Sequence, residues 1–413
     1  MQNVVTFAIV HLRKETNLKD KRQIVPVKSI VVAAIAVLSV FSSVVLAEYP
    51  KTGYWIPAEF APQEAMWMQW PDFRQPPILR NYDPRIGWYH DPQPYVDIFV
   101  EYVRALQTEG TVKIIVRDAL GEELARGNLT QADVPLVNVM FHQLPYDDVW
   151  ALDNFGPFVV KDGKLHLLNF GFDAWNDPDY GPYERDDDVP LEVAKQLHIK
   201  VTSVTYVDPT DGATKPLIFE GGAFESSGEG TLVASWSIIV DRNPNLDQPQ
   251  ATQIFKEITG AHTIIWIENS NAESVGLPYG FSAWDHTDGY MKFYAPGKVA
   301  VIRTTWAESS AMIAEARTKL EAAGWTITDF SADWNFMNHV VFGNKVIAVY
   351  GRGSPRMPGE TTASNVQKGR MELQKLYPDK EIVIFDGSTL LFLCGGGIHC
   401  VTRWQPVVSR SRS

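Results

Sequence analysis

Phe158-Val-Val-Lys-Asp-Gly163-Lys-Leu-His-Leu-Leu168 reads as two short apolar strands joined by an Asp-Gly turn. Asp-Gly suits that place because a two-residue hairpin turn needs positive φ at both central positions. The pattern recurs. Phe293-Tyr-Ala-Pro-Gly297-Lys-Val-Ala-Val-Ile302 and Val340-Val-Phe-Gly343-Asn-Lys-Val-Ile-Ala-Val349 repeat it, and Phe224-Glu-Ser-Ser-Gly228-Glu-Gly-Thr-Leu-Val233 is a looser copy. Spaced self-similarity of this kind predicts a propeller-like array of small repeats. Hairpins are common in any mixed protein, so chance recurrence is the alternative.

Outward from these hairpins, apolar spacing predicts helices over 95–106, 191–197, 251–258, 307–323 and 362–376. Short apolar runs predict strands over 112–116, 201–206, 263–267 and 381–385. Alternation of the two types gives an α/β or α+β class. A polar residue precedes the turn glycine of each hairpin: Asp153, Glu220, Asp288 and Asn338. If the repeats surround one axis, these side chains emerge at the same end and meet in one mouth.

The chain has 413 residues, of which 45% are hydrophobic and 21% charged, with a net charge of −12. That is enough for one large core or two medium ones. The acidic balance disfavours a nucleic-acid partner, whose phosphates it repels, and favours cationic small molecules. Residues 1–47 differ from the rest. Arg13, Lys14, Lys19, Lys21, Arg22 and Lys28 precede an apolar run over 30–47 that ends in Val45-Leu46-Ala47. This is the order of a secretory signal peptide, so a secreted or periplasmic location is expected for residues 48–413, read as one catalytic domain. An uncleaved membrane anchor is the alternative.

Chemistry-bearing residues cluster in a few motifs. Trp150-Ala-Leu-Asp153-Asn-Phe-Gly-Pro157 puts a carboxylate in a turn beside an aromatic. Glu220 opens Glu-Gly-Gly222. His286-Thr-Asp288-Gly289 puts a base and an acid on one side if extended. Gly395-Gly-Gly-Ile-His-Cys400 ends in a thiol. A guanidinium offers its N–H groups in a planar fork that carboxylates accept bidentately. A thiol held against its central carbon is driven towards thiolate by the cation. The same parts admit other readings. His286, Asp288, His399 and Cys400 could ligate a metal, although no pair has zinc-finger or zincin spacing. A Cys-His protease would also use Cys400 and His286, but would not gather acids around its oxyanion. Taken singly, each residue is more often a cap, a turn or a filler; Cys394 reads as a small buried hydrophobe.

Taken together, the motifs resemble the agmatine deiminases and bacterial-type peptidylarginine deiminases of the guanidino-group-modifying superfamily. The matching stretches are Gly53–Phe60, Met66–Pro71, Trp150–Pro157, Tyr180–Pro190, Glu220–Gly222, Asp241–Pro244, His286–Gly289, Asn338 and Gly395–Pro406. The resemblance implies a five-bladed, pseudo-fivefold α/β propeller (pentein). It implies that Cys400 forms a covalent amidino intermediate, with His286 as acid and base and Glu220 orienting it. Asp153 and Asp288 would grip the guanidinium, and Trp150 and Asn338 would line the site. No metal or organic cofactor is expected, and a homodimer is left open. The expected reaction converts agmatine to N-carbamoylputrescine and ammonia. The alternatives are deimination of protein arginine to citrulline and a non-enzymatic polyamine or guanidine binder. Agmatine is favoured because the stretch 180–190 carries one Arg and four acids, which would repel a carboxylate. Two departures stand out. Leu152 occupies a position where the family usually has Arg, and Arg403-Trp404 interrupts the family's late glutamine-rich run.

Overall fold

The computed structural model describes residues 50, 52–74, 93–177, 180–271, 282–304, 310–351, 363–393 and 396–408. The leader over 1–47 and Cys394 lie outside the described residues. Among the described residues no helix is long and apolar enough to cross a membrane.

Asp162 and Gly163 both adopt positive φ, at 51° and 71°. They join antiparallel strands Phe158–Lys161 and Lys164–Asn169, with Phe158 opposite Leu167. Helix Glu184–Leu197 follows, and strand Lys200–Ser203 returns parallel to the second hairpin strand. This hairpin–helix–strand order recurs in the three other hairpin segments. Phe224–Ser226 and Thr231–Ser235 are followed by helix Gln248–Thr259 and strand Thr263–Ile267. Met291–Ala295 and Lys298–Ile302 lead to helix Ala311–Ala322 and strand Thr326–Phe330. Val340–Phe342 and Lys345–Tyr350 lead to helix Ala363–Leu376 and strand Glu381–Asp386.

A fifth unit of the same kind is built from the two ends of the chain. Strand Arg403–Pro406 lies antiparallel to Gln63–Gln69; helix Gln93–Leu106 and the parallel strand Thr111–Val116 complete it. Across this junction Trp67 Nε1 donates to Gln405 Oε1 at 3.0 Å, spanning 338 positions. The protein therefore has an α/β fold of five repeated units, the pentein architecture expected from the resemblance.

The units are held by apolar packing between helix and sheet. In Gln93–Leu106 the buried residues include Tyr95, Ile98, Phe99, Tyr102, Val103 and Leu106. That is one stripe at helical spacing, and it shares a core cluster with Met66, Met68, Val112 and Ile114 of the sheet.

Two predicted elements change. The strand over 201–206 is two strands, because Thr205–Val207 leaves its sheet and pairs with Thr214–Pro216 in a separate ribbon. The helix over 191–197 begins at Glu184, so the acids at 184–188 form its first turns. Negative charge is favoured at a helix N-terminus.

Candidate active site

Each unit carries a polar residue just ahead of its first hairpin strand. Asp153 lies in the short helix Ala151–Asn154, and Glu220 precedes the turn Gly221–Ala223. Asp288 lies in the turn Thr287–Gly289, Asn338 follows the short helix Trp334–Met337, and Cys400 precedes strand Arg403–Pro406 by three positions. The fold brings these five side chains, with His286, into one buried cluster. All seven residues singled out from the sequence are buried at or beside it, Trp150 included.

Cys400 Sγ lies 3.7 Å from Asp288 Oδ2, with its S–H directed to the carboxylate, and accepts from Asn338 Nδ2 at 3.4 Å and from the Gly397 amide at 3.5 Å. Asn338 Nδ2 also donates to Asp288 Oδ2 at 2.9 Å. Burial first, and then the Asp288 and Asp153 charges, push the thiol well above its ordinary value. The thiol is therefore neutral until positive charge arrives.

His286 stands on the other side. Its Nε2 lies 3.4 Å from Glu220 Oε2 and its Nδ1 lies 3.8 Å from Asp153 Oδ1. Burial opposes its charge, but Asp153 and Glu220 overcome that and raise it to about 9. Glu220 is anchored in turn by Arg242 Nε at 2.7 Å; burial raises its carboxyl, and Arg242 and His286 outweigh that and hold it low. Asp153 accepts from the Gly222 amide at 2.9 Å and from Trp175 Nε1 at 3.1 Å. Burial, with added repulsion from Asp288 and Glu220, raises it to about 6 despite His286.

His286 and Asp288 do not sit on one side of an extended segment. His286 is extended but Thr287–Gly289 turns as a 3-10 helix, so the imidazole meets Glu220 and Asp153 while the carboxylate meets Asn338 and Cys400. The glycines have a steric reason. A Cβ at Gly222 would collide with His286 Nδ1 and lie 2.9 Å from Asp153 Oδ1. A Cβ at Gly397 would enter the Asn338 amide, and one at Gly396 the Trp150 ring.

Behind Asp288 lies a network that the sequence reading did not assign. His399 bridges Asp288 Oδ2 and Glu59 Oε2, at 2.8 Å to each. Thus it contacts the carboxylate rather than tuning the thiol directly. Burial opposes its charge, and Glu59 and Asp288 raise it to about 9 against a nearby Lys292. Lys292, 1% exposed, reaches Glu59 Oε2 at 2.6 Å and Glu225 Oε1 at 3.8 Å. Glu59, Glu225 and His399 lie close enough together to hold a metal ion, but the Lys292 ammonium already sits against both carboxylates. A lysine inside the apolar strand Met291–Ala295 was the available signal for this network.

The acids of 180–190 have internal duties. Asp186 accepts from the Asp147 and Asp148 amides, and Asp187 from the Phe172 amide at 2.7 Å. Two of the four thus clamp backbone, so this stretch does not act as a field of four free acids against a carboxylate.

The departure at Leu152 is met from the other departure. Arg403 donates from Nη2 to the Leu152 carbonyl and from Nε to the Phe155 carbonyl at 2.7 Å. A buried cation thus stands at the Asp153 turn although residue 152 is apolar.

Among known proteins the chain is similar to the agmatine deiminase of Pseudomonas syringae pv. tomato, at 26% identity over 86% of this chain and 96% of the relative. It is 24% identical to that of Pseudomonas aeruginosa over the same shares. The agmatine deiminase structure of Enterococcus faecalis shares the fold with a TM-score of 0.68, at 20% identity over 86% of this chain and 97% of that one. The agmatine deiminase of C. jejuni does so with a TM-score of 0.63, at 20% identity over 88% and 100%. The model of the Porphyromonas-type peptidyl-arginine deiminase family matches residues 55–406. With that match spanning every unit of the fold and every residue of the buried cluster, the chain belongs to the Porphyromonas-type peptidyl-arginine deiminase family.

Proposed function

We propose that the protein hydrolyses a guanidinium group, and that its substrate is agmatine, giving N-carbamoylputrescine and ammonia. One observation carries the reading: Cys400, His286 with Asp288, Asp153 and Glu220, brought from four different repeats, converge in contacts of hydrogen-bond or ion-pair range. The curated relatives of similar length bear the agmatine deiminase name, which supports the substrate.

Asp153 and Asp288 accept the N–H groups of the guanidinium and fix its plane. The incoming cation offsets the two charges that hold the Cys400 thiol neutral, so the thiol proton leaves as the substrate enters. Thiolate attack on the central carbon forms a C–S bond and a tetrahedral adduct. Collapse breaks a C–N bond, and protonated His286 gives its proton to the departing ammonia. Neutral His286 then takes a proton from water, whose oxygen attacks the amidino carbon. The C–S bond breaks, leaving a ureido product and the regenerated thiol. Glu220 keeps His286 oriented and charged, Asn338 holds Asp288 against Cys400, and Trp150 walls the site.

A kinetic panel scored for ammonia tests the substrate: agmatine, free arginine and a peptide ending in arginine. Faster turnover of either arginyl substrate would overturn the agmatine assignment and favour the activity named by the family. No turnover of any, with agmatine still bound, would favour the binding-protein reading. We further propose that the chain acts outside the cytoplasm after loss of residues 1–47. The basic segment followed by an apolar run supports this. N-terminal sequencing of protein recovered from cell fractions checks it; an intact Met1 in the cytoplasmic fraction would sink it.

A further inference from the structure

Arg403 is a buried guanidinium, 3% exposed, and among the described residues its hydrogen-bond acceptors are backbone carbonyls rather than a carboxylate. A buried charge normally needs a partner, so this one asks for a reason. Its hydrogen bonds go to the carbonyls of Leu152 and Phe155, the residues that bracket Asp153. The other side of the Leu152 peptide is held too: its N–H donates to the Cys400 carbonyl at 2.9 Å. Residues 400–403 thus grip the Asp153 turn at three backbone points. Gly221 completes the packing, because a Cβ there would collide with both the Leu152 carbonyl and the Arg403 guanidinium.

We propose that Arg403 is a positioning residue that fixes Asp153 relative to Cys400 and, beside His286, adds a second cation that favours the Asp153 carboxylate. The inference rests on the guanidinium-hydrolysis reading. The strand that follows the nucleophile is thereby the ruler between the attacking sulfur and one of the carboxylates that hold its target. A displacement of about an ångström between them is costly, because attack requires a near-contact alignment. The charge matters as well as the geometry. Asp153 faces the anions Asp288 and Glu220, the Cys400 thiol, and the cations His286 and Arg403. Burial lowers Arg403 to about 10, with Asp153, Glu59 and Asp288 opposing, so it stays charged throughout the neutral range. No other arginine or lysine with a described contact hydrogen-bonds that turn.

The test compares Arg403→Lys, Arg403→Gln and Arg403→Met with the wild type, each first checked for native circular dichroism. Ammonia release from agmatine is measured as kcat and KM across pH. Lysine keeps the cation but cannot reach both carbonyls. The expectation is an unchanged acid limb with kcat/KM down about tenfold. Glutamine and methionine lose the cation, and their acid limb should move up by about one pH unit with KM rising most. A merely structural role would lower stability without moving that limb. An unmoved limb in folded Arg403→Gln would overturn the proposal, as would equal limbs in Arg403→Lys and Arg403→Met. If Arg403→Met fails to fold, Arg403→Gln and Arg403→Lys decide it, since both keep a donor for the carbonyls. A second readout needs no turnover: the infrared carboxylic-acid band that Asp153→Asn removes should titrate at higher pH in Arg403→Gln. If wild-type protein released no ammonia, the functional reading would fail, while this titration would still decide whether Arg403 holds Asp153 ionised.

Discussion

Nδ1 of His286 stands 3.8 Å from Oδ1 of Asp153, near enough for an ion pair and beyond hydrogen-bond reach, and this buried nitrogen has no hydrogen-bond partner among the described residues. The pair attract each other across this gap, while Nε2 on the far side of the ring is held by Glu220. Because Asp153 is raised to about 6 and His286 to about 9, the two hold opposite charges between those values. The working form is carboxylate plus imidazolium. Activity is therefore expected to rise with pH through about 6, as Asp153 ionises, and to fall through about 9, as His286 loses its proton. The profile of kcat/KM checks both limbs. Glu220→Gln removes an anion from beside His286, so the alkaline limb should move to lower pH; an upward move would contradict the assignment.

Cys400 is held neutral by burial and by Asp288 and Asp153. In the free protein its alkylation by iodoacetamide should be slow at neutral pH, with a midpoint above that of an ordinary thiol. Asp288→Asn should lower the midpoint, since it removes a negative charge 3.7 Å from sulfur. Tandem mass spectrometry of the peptide Glu381–Arg403, whose fragment ions separate Cys400 from Cys394, gives the rate. Cys400→Ser should cut ammonia release by a factor on the order of a thousand or more while leaving agmatine binding in place. Substantial turnover in that variant would remove the covalent route.

His399 makes a distinct bond from each ring nitrogen, Nδ1 to Asp288 and Nε2 to Glu59. Asparagine places an amide near the first position and glutamine near the second. His399→Asn is expected to retain more activity than His399→Gln, because it keeps a donor on the carboxylate that grips substrate. The difference should be about 10- to 100-fold in kcat/KM, the worth of one charge-assisted hydrogen bond. The reverse order would show that the Glu59 contact governs the site.

Lys292 sits between Glu59 and Glu225, with all three buried. Burial raises Glu59, and Lys292 and His399 outweigh that to hold it far below the ordinary range; burial lifts Glu225 to about 7. Lys292→Met leaves two carboxyls without their ammonium and should destabilise the protein by about 3–5 kcal/mol. Thermal unfolding would read this as a large fall in Tm. Glu225→Gln should cost far less, because that group is already about half protonated at pH 7. A small effect of Lys292→Met would mean that the network reorganises through His399.

The four hairpins were legible because each carries its own turn glycine within about ten residues, as Gly163 does between Phe158 and Leu168. The fifth unit was not, because its two antiparallel strands are far apart in sequence and no turn joins Pro406 to Gln63. The residues that meet the reacting centre were legible too: Asp153 and Asp288 from their places ahead of hairpin turns, His286 from its His-Thr-Asp motif and Cys400 from the glycine run before it. Those behind them could not. Glu59, Lys292 and Glu225 become one ion network only when three separate units pack together. The acids at 184–188 misled in the opposite direction: composition read them as a repelling surface, whereas Asp186 and Asp187 turn inward to backbone amides.

The pairing of Arg403–Pro406 with Gln63–Gln69 sets the order in which the protein can become active. A nascent chain interrupted before residue 400 contains every carboxylate of the site and lacks the sulfur. Three residues later comes the strand that docks on the beginning of the chain, a contact of high sequence separation and so slow to form. The nucleophile is thus made after every carboxylate of the site, next to a strand whose pairing partner lies more than 300 residues earlier. A chain made only as far as residue 399 therefore presents a guanidinium clamp without its nucleophile.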